Sequence, residues 1–216
     1  IRQNLHFGAD WIKIVVDDQR YYYTSEDIAF IVKEAANAGV KVCSHSINER
    51  GTLNAINGGV ASLEHAFIMS DETLQLAKDK DIWLCGTDFS KDILNVLGIP
   101  QLYRMTVHRL KRAHKIGVKM AFGSDVFAEV PGHTRGSAVL TLIDTWIEAK
   151  IPAADILRAF TVNAAKMLEI NRQRGLLKER MIADIIATPE NPLENIKTLK
   201  DVKFVMKEGK VYKHAK

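Results

Sequence analysis

From residue 11 onward the sequence alternates. A short run of apolar and β-branched residues gives way to a longer segment with apolar residues at helical spacing, and the pattern then repeats. The short runs are "WIKIVV", "VKVCSH", "VASLEH", "IWLCG" and "VKMAFGSD", and each reads as a strand. "TSEDIAFIVKEAANAG" opens on Thr24 or Ser25 as a cap, carries Ile28, Ile31, Val32 and Ala35 along one side, and stops at Gly39. "NERGTLNAINGG" is a shorter helix ended by glycines. "SDETLQLAKDKD" has Ser70 as cap and acidic residues in its first turn, where the helix dipole favours them. The stretch from Thr87 to about Pro100 reads as a longer insertion, followed by the helix "QLYRMTVHRLKRAHKIG". After the fifth strand come two more helices, "TRGSAVLTLIDTWIEAK" and "PAADILRAFTVNAAKMLEI". Strand–helix units in series imply an α/β fold of parallel strands joined by right-handed crossovers.

After Asn171 the texture changes. "MIADIIAT", "VKFVMKEG" and "KVYK" are short strand-like runs separated by Pro, Asn and Gly. The division expected is an α/β body over 1–170 and a small β appendage over 171–216. "IRQNLHFG" reads as the second half of a helix, so the chain is expected to be one piece of a longer polypeptide. Its 216 residues, 47% hydrophobic and 26% charged, suit a soluble domain with a sizeable core. The net charge of +4 sits largely in the tail "KEGKVYKHAK", which suits a solvated terminus and gives no nucleic-acid footprint. No apolar run approaches a membrane span. No leader is visible at the start, and the compartment, cytoplasmic or exported, stays open. Cys43 and Cys85 lie in separate apolar runs and are expected to be free thiols.

The unusual polar residues fall on these strands. Lys13 stands inside the first run, among Trp11, Ile12, Ile14, Val15 and Val16, in what reads as a buried strand. A lysine is rarely buried without a partner. His45 closes the second run, Glu64 and His65 the third, and Asp125 the fifth. Each has an ordinary explanation taken singly. Lys13 can snorkel or pair with Asp17 or Glu64, and "GSD" is a common turn. Together they differ, because the carboxyl ends of barrel strands point to one face, where active sites lie. Two imidazoles and a carboxylate at one rim have the composition of a metal site.

At these residues the sequence resembles a family, the metal-dependent amidohydrolases, in the branch near imidazolonepropionase and Xaa-Pro dipeptidase. The matching stretches are "GADWIKI", "VKVCSH", "ASLEH", "AFGSD", "ILRAFTVNAAKMLEI" and the tail "ADIIATPENPLENI…VKFVMKEGKVY", in the family's order over nearly the whole chain. The resemblance implies strands four to eight of a (β/α)₈ TIM barrel, followed by strands of a small β-sandwich. It implies that Lys13 is carboxylated by CO₂ and bridges two divalent metals, expected to be zinc. It gives His45 and His65 to the metal shared with Lys13, and Asp125 to the other. It also names Asp125 and His65 as catalytic, with Asp125 the general base.

The activity implied is hydrolysis of amide carbon–nitrogen bonds in a dipeptide or N-acyl amino acid, of dipeptidase or prolidase type. The alternatives are a cyclic-amide hydrolase and a non-catalytic piece that needs a partner chain to complete the barrel. His133 and Arg135, in "VPGHTRGS", are candidates to bind a substrate carboxylate, and Tyr23, with Tyr21 and Tyr22, to line the pocket. Two departures from the family stand out. The His-x-His pair of its first strand is absent from the seven histidines His6, His45, His65, His108, His114, His133 and His214. The strand-four lysine is followed by "VVDDQRYYYT" instead of a Gly-rich loop. The partners expected are the small substrate, the amino-terminal barrel segment and further copies of the chain, with neither nucleic acid nor membrane.

Overall fold

Residues 1–215 are described in a computed structural model of the chain, and the alternation of the sequence carries into it. In order come α1 (Arg2–His6), β1 (Trp11–Val15), α2 (Ser25–Ala36), β2 (Lys41–Ser46), α3 (Glu49–Gly58), β3 (Ser62–His65), α4 (Asp71–Asp79) and β4 (Trp83–Cys85). Then follow α5 (Lys91–Val96), α6 (Leu102–Ile116) and β5 (Lys119–Met120). The remainder is α7 (Arg135–Thr141), α8 (Ile143–Glu148), α9 (Ala153–Arg158), α10 (Ala164–Met167), β6 (Ile185–Ala187), β7 (Phe204–Lys207) and β8 (Lys210–His214). The chain divides into two units. One is Ile1–Thr87 with His108–Met120, and the other Asp88–Val107 with Ala121–Lys216.

The first unit holds a five-stranded sheet in the order β1-β2-β3-β4-β5, with every pairing parallel. The register sets Ile14 beside Ser44, Ser44 beside Leu63, Leu63 beside Leu84 and Leu84 beside Met120. All five are buried. The next row joins Lys13, Cys43, Ser62, Trp83 and Lys119 on the other face. There Lys13, Val15 and Lys41 are exposed. A parallel sheet is normally covered on both faces, so along β1 and β2 this sheet has one open side.

Helix starts follow the caps. Thr24 forms a reciprocal capping box with Asp27 at the head of α2, and Ser70 accepts from the Thr73 N–H at the head of α4. The head of α3 has a second anchor. Asp17 is fully buried, and its carboxylate accepts from the backbone N–H of Ile47 at 2.8 Å and of Asn48 at 3.0 Å. A carboxylate at a helix N-terminus satisfies donors that the helix leaves unpaired. Asp17 is thus committed to α3. Gly51 lies directly against it, and a methyl group there would overlap the carboxylate. Gly51→Ala is expected to destabilise the fold by about 2–4 kcal/mol, through overpacking and loss of a charged hydrogen bond. Denaturant unfolding measures it, and an unchanged midpoint would remove Asp17 as the anchor.

The second unit departs from the sequence reading in three places. The insertion after Thr87 contains α5, capped by Ser90. The segment "TRGSAVLTLIDTWIEAK" is two helices that break at Leu142. There the Thr141 hydroxyl donates to the Ala138 carbonyl at 2.7 Å, and Leu142 N–H bonds Val139. Hydroxyl back-bonding of this kind bends a helix. Between α9 and α10 lies a π-helical turn, Ala159–Asn163, whose first carbonyl accepts from the Phe122 N–H at 3.0 Å. That bond takes the chain after Met120 away from strand pairing, and β5 spans only Lys119–Met120. The small β appendage is an antiparallel sheet of β6, β7 and β8, with a bulge between Val205 and Met206. Among the described residues, no helix is long and apolar enough to cross a membrane.

Candidate metal centre

His45 lies near the end of β2 and His65 closes β3. Alternation alone would not join them. His45 pairs in register with Glu64, whereas His65 pairs with Ser46 on the opposite side of the sheet. The backbone resolves this. His65 and Ala66 take left-handed conformations, with φ of 69° and 41°, which non-glycine residues adopt at a cost of about 1–3 kcal/mol. The turn brings the two rings edge to face, with centroids 4.4 Å apart.

Both rings are held in low-dielectric surroundings. His65 is 5% exposed, and its Nδ1 lies 2.6 Å from the Thr87 hydroxyl. Burial, reinforced by the charges of His45, Lys13 and Arg109, pushes its pKa down to about 3. It is a neutral imidazole, the form that binds metals. His45 Nε2 is buried and, among the described residues, has no hydrogen-bond partner. The Asp18 carboxylate stands 3.6 Å away, beyond hydrogen-bond range. A buried nitrogen left this way is costly, and a metal ion is a partner that would satisfy it.

Lys13 is not buried. Strand alternation places it with Val15 on the open face, opposite Cys43 and on the same side as His45. Its apolar neighbours in sequence, Ile12 and Ile14, point the other way into the core. Lys13 is near enough to act electrostatically on His65 and on Cys43. The Cys43 thiol is pushed up to about 11, by burial first and then by Glu64. Neither Cys43 nor Cys85 forms a disulfide, in line with the expectation of thiols. Asp17, a possible partner for Lys13, serves α3 instead, and Glu64 accepts from the Ser62 hydroxyl at 2.8 Å.

Among the described residues no three His, Cys, Asp or Glu side chains converge as a metal cluster. Lys13 falls outside such a set, because an ammonium has no lone pair to offer. Converted to a carbamate it would present two oxygens. Two adjacent imidazoles, one with a buried nitrogen that makes no hydrogen bond among the described residues, and a lysine on the same sheet face as His45 therefore fit a divalent cation.

The remaining candidates lie elsewhere. Tyr23, in the first unit, is half-buried, packs edge-on to Tyr21 at 5.7 Å, and its carbonyl accepts from Asn54 at 2.8 Å. Tyr22 takes a hydrogen bond from Asn48 at 3.0 Å and lies under the Arg50 guanidinium. Asp125 belongs to the second unit. It is exposed, five positions past the end of β5, in a left-handed conformation with φ of 43°. His133 and Arg135 are also exposed in that unit. Arg135 begins α7, and His133 Nδ1 lies 3.2 Å from the Ser137 hydroxyl.

Two residues of the first unit escaped the sequence reading. Arg109 is 1% exposed, and its guanidinium donates at 3.4 Å to the carbonyls of His65 and Gly86, tying the ends of β3 and β4. The signal for it was present, since Thr106, Arg109, Leu110 and Ala113 form one helical stripe and all are buried. Thr87 had no such signal, because the chain around it carries no period.

Comparison with known proteins places the chain in a family. The family described as the amidohydrolase family matches residues 5–212. An ochratoxinase of Aspergillus niger is 30% identical over 239 aligned residues, covering 99% of this chain and 48% of its own length. The crystal structure of a Xaa-Pro dipeptidase with methionine bound in its active site aligns with a TM-score of 0.86 at 26% identity, over 98% of this chain and 56% of that one. That of a prolidase complexed with N-methylphosphonate-L-proline aligns with a TM-score of 0.81 at 25% identity, over 99% and 57%. The chain thus spans about half the length of the relatives it matches, and its five parallel strands have the fold of the carboxyl-terminal part of their barrels.

Proposed function

Since this chain belongs to the amidohydrolase family, we propose that it is part of a metal-dependent hydrolase of amide carbon–nitrogen bonds, with a dipeptide of prolidase type as substrate. The observation that carries the metal reading is the buried Nε2 of His45, which makes no hydrogen bond among the described residues, beside the His65 ring. The Xaa-Pro dipeptidase and prolidase among its structural relatives support the substrate class.

In this reading Lys13, as a carbamate, would hold divalent cations, expected to be zinc, together with His45, His65 and Asp125. When bound, such cations supply Lewis acidity and bring the pKa of water towards 7. Asp125 takes the proton of the attacking water and returns it to the leaving amine, as general base and then general acid. His65 keeps its neutral form throughout, since burial opposes its protonation. His133 and Arg135 offer positive charge to the substrate carboxylate, and Tyr23 with its neighbours forms part of the pocket wall. Residues 1–170 would serve as the barrel portion and 171–216 as part of a composite β domain. The open face of the sheet along β1 and β2, with the half-length coverage of relatives, supports a further barrel segment in the same polypeptide or in a partner chain.

The test is a panel of Xaa-Pro dipeptides, other dipeptides, N-acyl amino acids and cyclic amides, incubated with the zinc-loaded complete protein. Amine release by mass spectrometry should be strongest for dipeptides, vanish with a chelator and return with zinc. A zinc-replete protein that cleaves none of them would refute the reading.

A further inference from the structure

We infer that Thr87 is a positioning residue that fixes the tautomer of His65, so that Nδ1 carries the proton and Nε2 presents its lone pair to a metal. The inference rests on the metal-site reading above and adds a residue to it. Thr87 is 3% exposed and follows β4, not the strand of the histidine it meets. Its hydroxyl oxygen lies 2.6 Å from His65 Nδ1. It also sits at a φ of 44°, a region where a β-branched side chain is an outlier. A turn that needed only the backbone shape would be better served by glycine. Strained conformations of this kind persist where the surroundings over-determine them, and they cluster at functional sites.

The surroundings here do over-determine it. Gly86, just before Thr87, has no side chain, and a methyl group there would overlap the Arg109 guanidinium. Arg109 in turn holds the carbonyls of both Gly86 and His65. The backbone on each side of the Thr87–His65 contact is therefore fixed by one buried cation. A hydroxyl both donates and accepts; because the metal-site reading needs the Nε2 lone pair, the proton falls on Nδ1, and the Thr87 oxygen accepts the hydrogen bond from Nδ1–H. In metal sites the ring nitrogen away from the metal commonly makes such a bond, which orients the ligand.

The test uses the full-length protein with ¹⁵N-labelled histidine and zinc alone as the probe. In the metal-free protein, two-bond nitrogen–proton spectra should show His65 in the Nδ1–H form. Thr87→Val keeps the β-branch and removes the hydroxyl. It should lose that pure tautomer and bind zinc about 10–100-fold more weakly, while Thr87→Ser restores both. An Nε2–H tautomer in the wild-type protein would overturn the inference, even if the valine variant failed to fold. So would a valine variant with wild-type tautomer and zinc affinity. Loss of amide hydrolysis from the whole panel, with the tautomer and affinity differences intact, would count against the proposed substrate chemistry and leave the role of Thr87 in place.

Discussion

Asp125→Asn is expected to lower kcat about 10²–10⁴-fold, the usual range for loss of a general acid–base group, while zinc bound through Lys13, His45 and His65 falls far less. The substitution keeps the size and shape of the side chain. Asp125 has a φ of 43°, and asparagine tolerates the left-handed region as well as aspartate does, so the backbone has no reason to shift. The side chain is exposed, so no buried packing is lost. What changes is that an amide oxygen cannot take the proton of the attacking water. Steady-state kinetics beside metal analysis on the same preparation separates the two effects. Turnover near the wild-type rate would remove Asp125 from its role, whereas equal loss of metal and rate would make it a ligand only.

The sheet was legible because its signals are local and repeated. The five apolar runs alternate with helical segments, and the parallel order follows from that alternation. Periodicity of 2 also contained the answer to Lys13. Ile12 and Ile14 are buried and Lys13 between them is not, so the lysine is less anomalous than its neighbours in the string suggest. The meeting of His45 and His65 was legible only as a shared strand end. Strict register would part them, and a positive φ at His65 joins them. No residue type announces that conformation, since glycine is the usual mark of it and a histidine stands there. Thr87 and Arg109 were illegible as site residues for a similar reason. Their importance comes from a side chain crossing between elements 22 and 44 positions apart. The break at Leu142 depended on a threonine hydroxyl turning back on its own helix, which composition does not reveal.

Lys13→Ala is expected to abolish turnover and to weaken zinc binding by at least about 100-fold, the upper end of the effect seen for losing a residue that only orients a ligand. The prediction turns on charge. An ammonium beside His45 and His65 repels a divalent cation, and it already helps to hold His65 neutral. Reaction of the neutral amine with CO₂ forms a nitrogen–carbon bond, releases a proton and leaves a negative group with two oxygen donors. The same residue then attracts the cation that it repelled before, and the sign change is the physical content of the carbamate reading. Because Lys13 is exposed, its truncation should alter folding stability by only about 0.5 kcal/mol, so loss of metal could not be ascribed to unfolding. Carbon-13 bicarbonate supplied with zinc to the wild-type protein should give a carbamate resonance, absent without metal and absent in the alanine variant. If the variant retained zinc at wild-type affinity, or if the zinc-loaded wild-type protein showed Lys13 as a free ammonium, the carbamate reading would be wrong. The open sheet face would then hold its metal on imidazoles alone.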